Sequence, residues 1–218
     1  MKKYVDMAFL QLKSLKLLLA VPLVVYYLVL PILDVAYFKK YGFAALETNA
    51  WTFALMFIPM ISVFLPLLII RDFSESNGSE LLFVQNVNTP LYIYIIGLIF
   101  NFLTLVPLFG VYLIIFATQR LQVFHMVATL FFLSGMLFLL WKVTNSLAIA
   151  FSIDIVYCAF CIANPIINKD LWFNFLLYYN VLDSNIDLLL TRSLPLLFIG
   201  FFAFIIARIF SRKLIRPQ

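Results

Sequence analysis

Asp154 is the residue in this chain whose type and place most invite chemistry. It sits in Ala148–Cys161, a run that is otherwise almost entirely apolar. Counting from Lys142 at ~1.5 Å per residue puts it roughly 18 Å along a helix, near the middle of a bilayer. A charge there costs at least ~2.5 kcal/mol, so the side chain must face protein or water. Two readings follow: a polar point on a path through the membrane, or a hydrogen-bonded packing residue with Asn101 or Ser152 as partner. Cys158 and Cys161 follow on the same segment. A C-x-x-C pair binds zinc only with further ligands, and His125 is the sole histidine, so the cysteines read as small apolar residues. No His-Glu-x-x-His pattern is present. None of the six glycines precedes a lysine, so no phosphate-binding loop exists. No residue is assigned to catalysis, and the chain reads as a non-enzyme.

The elements that carry these residues are dictated by hydropathy. The 218 residues are 65% hydrophobic and 11% charged, against ~25% charged in a typical soluble domain. A helical span needs roughly 20 mostly apolar residues. Six stretches qualify: Leu17–Tyr37, Trp51–Ile70, Leu91–Thr118, Val123–Trp141, Leu147–Ala163 and Ser193–Phe210. The fold class is all-α, a polytopic membrane protein, read as one transmembrane domain over residues 1–218.

Basic residues orient such a protein. With the N-terminus inside, ten Lys and Arg residues fall on the cytoplasmic side: Lys2, Lys3, Lys13, Lys16, Arg71, Lys142, Arg208, Arg212, Lys213 and Arg216. Five fall outside: Lys39, Lys40, Arg120, Lys169 and Arg192. The bias places both termini in the cytoplasm and the chain in the cell membrane. The net charge of +5 therefore serves topology rather than nucleic-acid binding.

Three polar segments flank the spans. Residues 1–16 suit an N-terminal interfacial helix, with lysines toward anionic headgroups, or a plain positive flank to the first span. Asn164–Arg192 is the longest external connection. Its apolar run Leu171–Leu182 is short for a span and fits a re-entrant or interfacial helical hairpin; as a seventh span it would place the C-terminal arginines outside. The third segment, residues 71–90, follows the second span. Asn77 is placed to cap a helix, Glu80 stands at the reciprocal position of a capping box, and Pro90 ends or opens a helix. The helix so formed puts Phe83, Val84 and Val87 on one face, an apolar face that needs a cover.

Glu75, Gly78, Ser79, Glu80, Leu81, Leu82 and Pro90 stand in an order that resembles the ABC type-2 permease family. That family has six spans, both ends inside, and a cytoplasmic stretch acidic-x-x-Gly-(Ser/Thr)-x-Glu-Leu-Leu between the second and third spans. Here Glu80 follows Ser79 directly, and Leu91-Tyr92 replace the basic residue that commonly follows the proline. The resemblance implies that Glu75, Gly78, Ser79, Glu80, Leu81, Leu82, Phe83, Val84 and Val87 form a coupling helix in a groove of a separate ATPase subunit. ATP and Mg would be bound by that partner, and none in this chain. It further implies a homodimer or heterodimer of permease chains. The expected function is ATP-driven export of a hydrophobic or amphipathic cargo such as a peptide toxin, bacteriocin, antibiotic or lipid-like molecule. Asp154 and Asn101 are the candidate path residues. The other reading is a six-span binding protein without transport, such as a toxin-immunity protein.

Overall fold

The computed structural model describes residues 6, 20–75, 89–116, 121–163 and 186–213. These are helical throughout apart from short turns, and no strand occurs among the described residues. We number the helices α1 (Ala20–Tyr41), α2 (Phe43–Glu75), α3 (Thr89–Ile115), α4 (Leu121–Thr144), α5 (Leu147–Ala163) and α6 (Ile186–Lys213). Four segments are long and apolar enough to cross a membrane: Ala20–Tyr41, Pro90–Ile115, Leu121–Thr144 and Ser193–Phe210. They overlap four of the stretches expected from hydropathy; the helix that carries the last runs from Ile186 to Lys213. The other two correspond to shorter apolar helices, Phe53–Ile69 and Leu147–Cys161. Most of the segments 1–16, 71–90 and 164–192 lies outside the described residues; Asp6 is helical and exposed there.

Local chemistry explains the helix ends. Gly42 alone joins α1 to α2. Its φ of 84° lies where a side chain would be strained, and its N–H donates to the Phe38 carbonyl at 2.9 Å. The α4–α5 turn uses Asn145, whose φ is 53°, a conformation that asparagine tolerates better than most residues. Ser146 then caps α5: the Ile149 N–H donates to its Oγ at 3.4 Å. Within α1, residues Val25–Val29 form a π-turn. Pro31 is the cause in sequence. It has no N–H to give to the Tyr27 carbonyl, and its ring crowds that carbonyl. The chain widens instead, and the Leu30 N–H reaches back to Val25.

α2 lies at the centre and touches α1, α3, α4 and α5. α4 is the most buried of the four long helices and makes its main contact with α6. That contact is a backbone crossing at Gly135 and Gly200. A Cβ on Gly200 would lie 2.8 Å from the Phe131 carbonyl oxygen and 2.9 Å from the Phe132 Cα. A Cβ on Gly135 would meet the Gly200 Cα at 3.0 Å. Lipid offers no hydrophobic drive for helix association, so close backbone approach through small residues supplies the packing energy. Large apolar side chains cover the outside, with Leu103 63% and Val156 67% exposed. Such a surface is wrong for water and right for lipid.

Gly135→Ala is expected to lower the thermal midpoint of the detergent-solubilised protein, corresponding to about 1–3 kcal/mol of overpacking. Gly110→Ala serves as the control. Nothing lies within 4 Å of its added methyl, and its midpoint is expected not to fall.

Candidate functional site

One line of polar groups inside the bundle runs along a single face of α3. Tyr94, Asn101 and Tyr112 are all buried there. The first two are seven residues apart, two helical turns, and so point the same way. From Tyr94 to Tyr112 the line covers roughly 27 Å, close to the thickness of a bilayer core.

Each member has a partner on another helix. Tyr94 donates to the Ser134 carbonyl of α4 at 2.8 Å. Asn101, 3% exposed, accepts from the Tyr26 hydroxyl of α1 at 3.3 Å. The Tyr26 oxygen also shares a 2.7 Å hydrogen bond with Ser62 Oγ of α2. With the Tyr26 proton on Asn101, Ser62 is the donor in that bond. Tyr27 donates to the Thr104 carbonyl, and the Thr104 hydroxyl donates to the Asn101 carbonyl at 2.7 Å. The π-turn thus places two successive tyrosines against α3, which a regular helix with 100° between neighbours would do less well. At the far end Tyr112 donates to Asp34 Oδ2 at 2.6 Å.

Asp154 is 5% exposed on α5. Its carboxyl group lies near enough to the Tyr94 and Tyr157 hydroxyls to interact with both electrostatically. The expected neighbours are not there. Asn101 is held by Tyr26, and Ser152 is exposed on the other side of α5. The Asn145–Ser146 turn interrupts the rise, so the count starts at Leu147, and Asp154 stands at the middle of Leu147–Ala163.

Cys158 and Cys161 are free and buried, as expected for small apolar residues. His125 of α4 pairs through Nδ1 with Ser193 Oγ of α6 at 3.0 Å. No group of His, Cys, Asp or Glu that could hold a metal occurs among the described residues. Of the coupling residues, Glu75 is the last residue of α2. Gly78, Ser79, Glu80, Leu81, Leu82, Phe83, Val84 and Val87 lie outside the described residues. Sequence reasoning missed Tyr26, Ser62, Tyr94 and Tyr112. The available signal was Tyr94, Asn101 and Tyr112 at helical spacing on one face of the third apolar stretch.

Comparison with protein-family models, curated proteins and solved structures finds no match for this chain. What defines it is therefore its own geometry: an all-helical bundle with an apolar exterior and a paired polar line inside.

Tyr26→Phe is expected to destabilise the bundle by about 0.6–1.7 kcal/mol, the range measured for hydrogen bonds between membrane helices. Asn101→Leu added to it is expected to cost much less than it does alone, because the two share one bond. Unfolding by a denaturing detergent, followed by helical signal, measures both.

Proposed function

We propose that this chain is the membrane subunit of an ATP-driven exporter, with all six helices crossing the bilayer and both termini in the cytoplasm. One observation carries the reading. The Glu75-to-Leu82 sequence that resembles the ABC type-2 coupling stretch falls between the end of α2 at Glu75 and the start of α3 at Thr89. That is where a partner ATPase would grip the second and third helices together. Length supports six crossings. The apolar part of α2, Trp51–Ile70, has 20 residues, roughly 30 Å. It continues as one helix to Glu75. Leu147–Ala163 has 17 residues, the short end of the spanning range of about 17–25.

The mechanism follows from the joints. ATP moves the permease only by making the ATPase bind one of its conformations better than another. A pull on the segment after α2 is transmitted to α3, because α2 and α3 pack together and share the Ser62–Tyr26–Asn101 link. α3 carries Tyr94, whose hydroxyl interacts electrostatically with Asp154. Movement of α3 therefore changes what faces Asp154, which makes that carboxyl group a point on the cargo path. The cargo is hydrophobic or amphipathic, in keeping with apolar, aromatic walls. The working unit is two permease chains and two ATPases.

Affinity-tagged chain is expected to co-purify with an ATP-hydrolysing subunit from its native membrane. Glu80→Arg with Phe83→Asp is expected to abolish that association. Asp154→Asn is expected to keep the association and lower export at least tenfold, about 1.4 kcal/mol. Full export by the Glu80/Phe83 double variant would overturn the coupling assignment.

A further inference from the structure

Asp154 is buried without a partner. It is 5% exposed, and among the described residues no hydrogen bond or ion pair reaches its carboxyl group. Two tyrosine hydroxyls interact with it electrostatically, and neither gives it a proton. Tyr94 donates to the Ser134 carbonyl at 2.8 Å. Tyr157, one turn along α5 from the acid, is hydrogen-bonded to Cys161. Ala150 and Cys158 flank Asp154 one turn to either side, both buried. The first has no side-chain donor and the second only a weak one.

No cation of the chain answers the charge. Lys142, the nearest in sequence, sits in the last turn of α4 and lies over the Trp141 ring at 3.8 Å. Lys142 and Asp154 do not act on each other electrostatically. A lone carboxylate is among the most expensive groups to hold inside a bilayer, and it calls for a partner. The two tyrosines that sense the acid belong to aromatic pairs. The Tyr157 ring packs against Phe132 of α4 at 6.0 Å, and the Tyr94 ring against Phe138 of α4 at 5.0 Å. Ring faces attract an organic cation.

We infer that the partner of Asp154 is the cargo, and that the cargo is a cationic amphipath with an ammonium group. This rests on the reading of Asp154 as a point on the cargo path. The ammonium supplies the charge and the N–H donors that the carboxyl group lacks in the free chain. The aromatic rings add to its attraction, and the apolar walls suit its hydrocarbon part. A neutral cargo leaves the acid unpaired, and an anionic cargo is repelled by it. Charge therefore selects among molecules that the apolar walls alone would treat alike.

Equilibrium dialysis of the purified full chain in detergent tests this with three radiolabelled probes that share one tail: octylammonium, octanol and octanoate. Saturable binding of octylammonium, near one per chain, is expected. Neither octanol nor octanoate is expected to saturate. Asp154→Asn is expected to weaken octylammonium binding at least tenfold, the loss of one close charge pair. Asp154→Glu, which keeps the charge, is expected to retain most of it. Circular dichroism confirms that each variant remains helical. If Asp154→Asn does not fold, Asp154→Leu takes its place, since an apolar side chain of similar size suits an apolar site. Equal behaviour of the three probes overturns the inference, as does undiminished octylammonium binding in the folded Asn or Leu variant. Binding requires neither nucleotide nor ATPase, so the two readings fail separately. An ATPase that co-purifies with a chain blind to octylammonium removes the cationic cargo and leaves the exporter. Asp154-dependent binding by a chain that captures no ATPase leaves the cation site and removes the exporter.

Discussion

Four helices of this bundle are long and apolar enough to cross a membrane, where a polar group has no water to fall back on, and that constraint accounts for its internal pairing. Every polar side chain on the inner face of α3 must find its partner on another helix. Asn101 finds Tyr26, Tyr94 finds a backbone carbonyl of α4, and Tyr112 finds Asp34. These bonds are individually modest. Together they fix the rotation of α3, because turning it by a quarter would strand all of them at once. The π-turn in α1 belongs to the same logic: Pro31 widens the helix, and the widened turn delivers Tyr26 and Tyr27 to α3.

The other half of the molecule is held differently. α4 and α6 meet backbone to backbone at Gly135 and Gly200, where van der Waals contact is the main attraction. The Tyr94 bond to Ser134 ties the two halves, one residue from that crossing. Tyr94 also packs against Phe138 of α4 and Phe204 of α6. A bundle with one half set by paired polar groups and the other by close packing has a natural seam between them. Asp154 lies beside that seam.

Much of the helical frame was legible from apolar run length, because the bilayer imposes one number on every span. The start of α5 falls at Leu147, where the fifth apolar stretch begins. Other boundaries were hidden. α2 starts at Phe43, well before Trp51, because Gly42 turns the chain at once and Glu47 is carried as part of the helix. Asp154 was legible as a buried group, since a lone acid in an apolar run has nowhere else to go. Its place at the middle of the fifth helix was legible as well, from its position within the apolar run. Asn101 was singled out, but its side-chain partner Tyr26 lies 75 positions away, on a helix whose rotation one sequence does not specify. The glycine pair is likewise 65 positions apart and carries no local mark. Tyrosine is the general blind spot. In a hydropathy reading it passes as aromatic filler, whereas in lipid its hydroxyl is a bond that must be made.

Footprinting the unmodified protein with a membrane-partitioned carbene tests the central claim most directly, because the label reports which side chains meet acyl chains. Mass spectrometry is expected to find it on Leu103, Val106 and Ile114 of α3, on Val156 of α5 and on Phe198 of α6, all exposed on the outside. It is expected to be absent from Tyr94, Leu105, Tyr112 and Met126, which are buried. Labelling of Tyr94 and Tyr112 as strong as that of Val106 would mean that the polar line of α3 faces lipid, and would contradict the account.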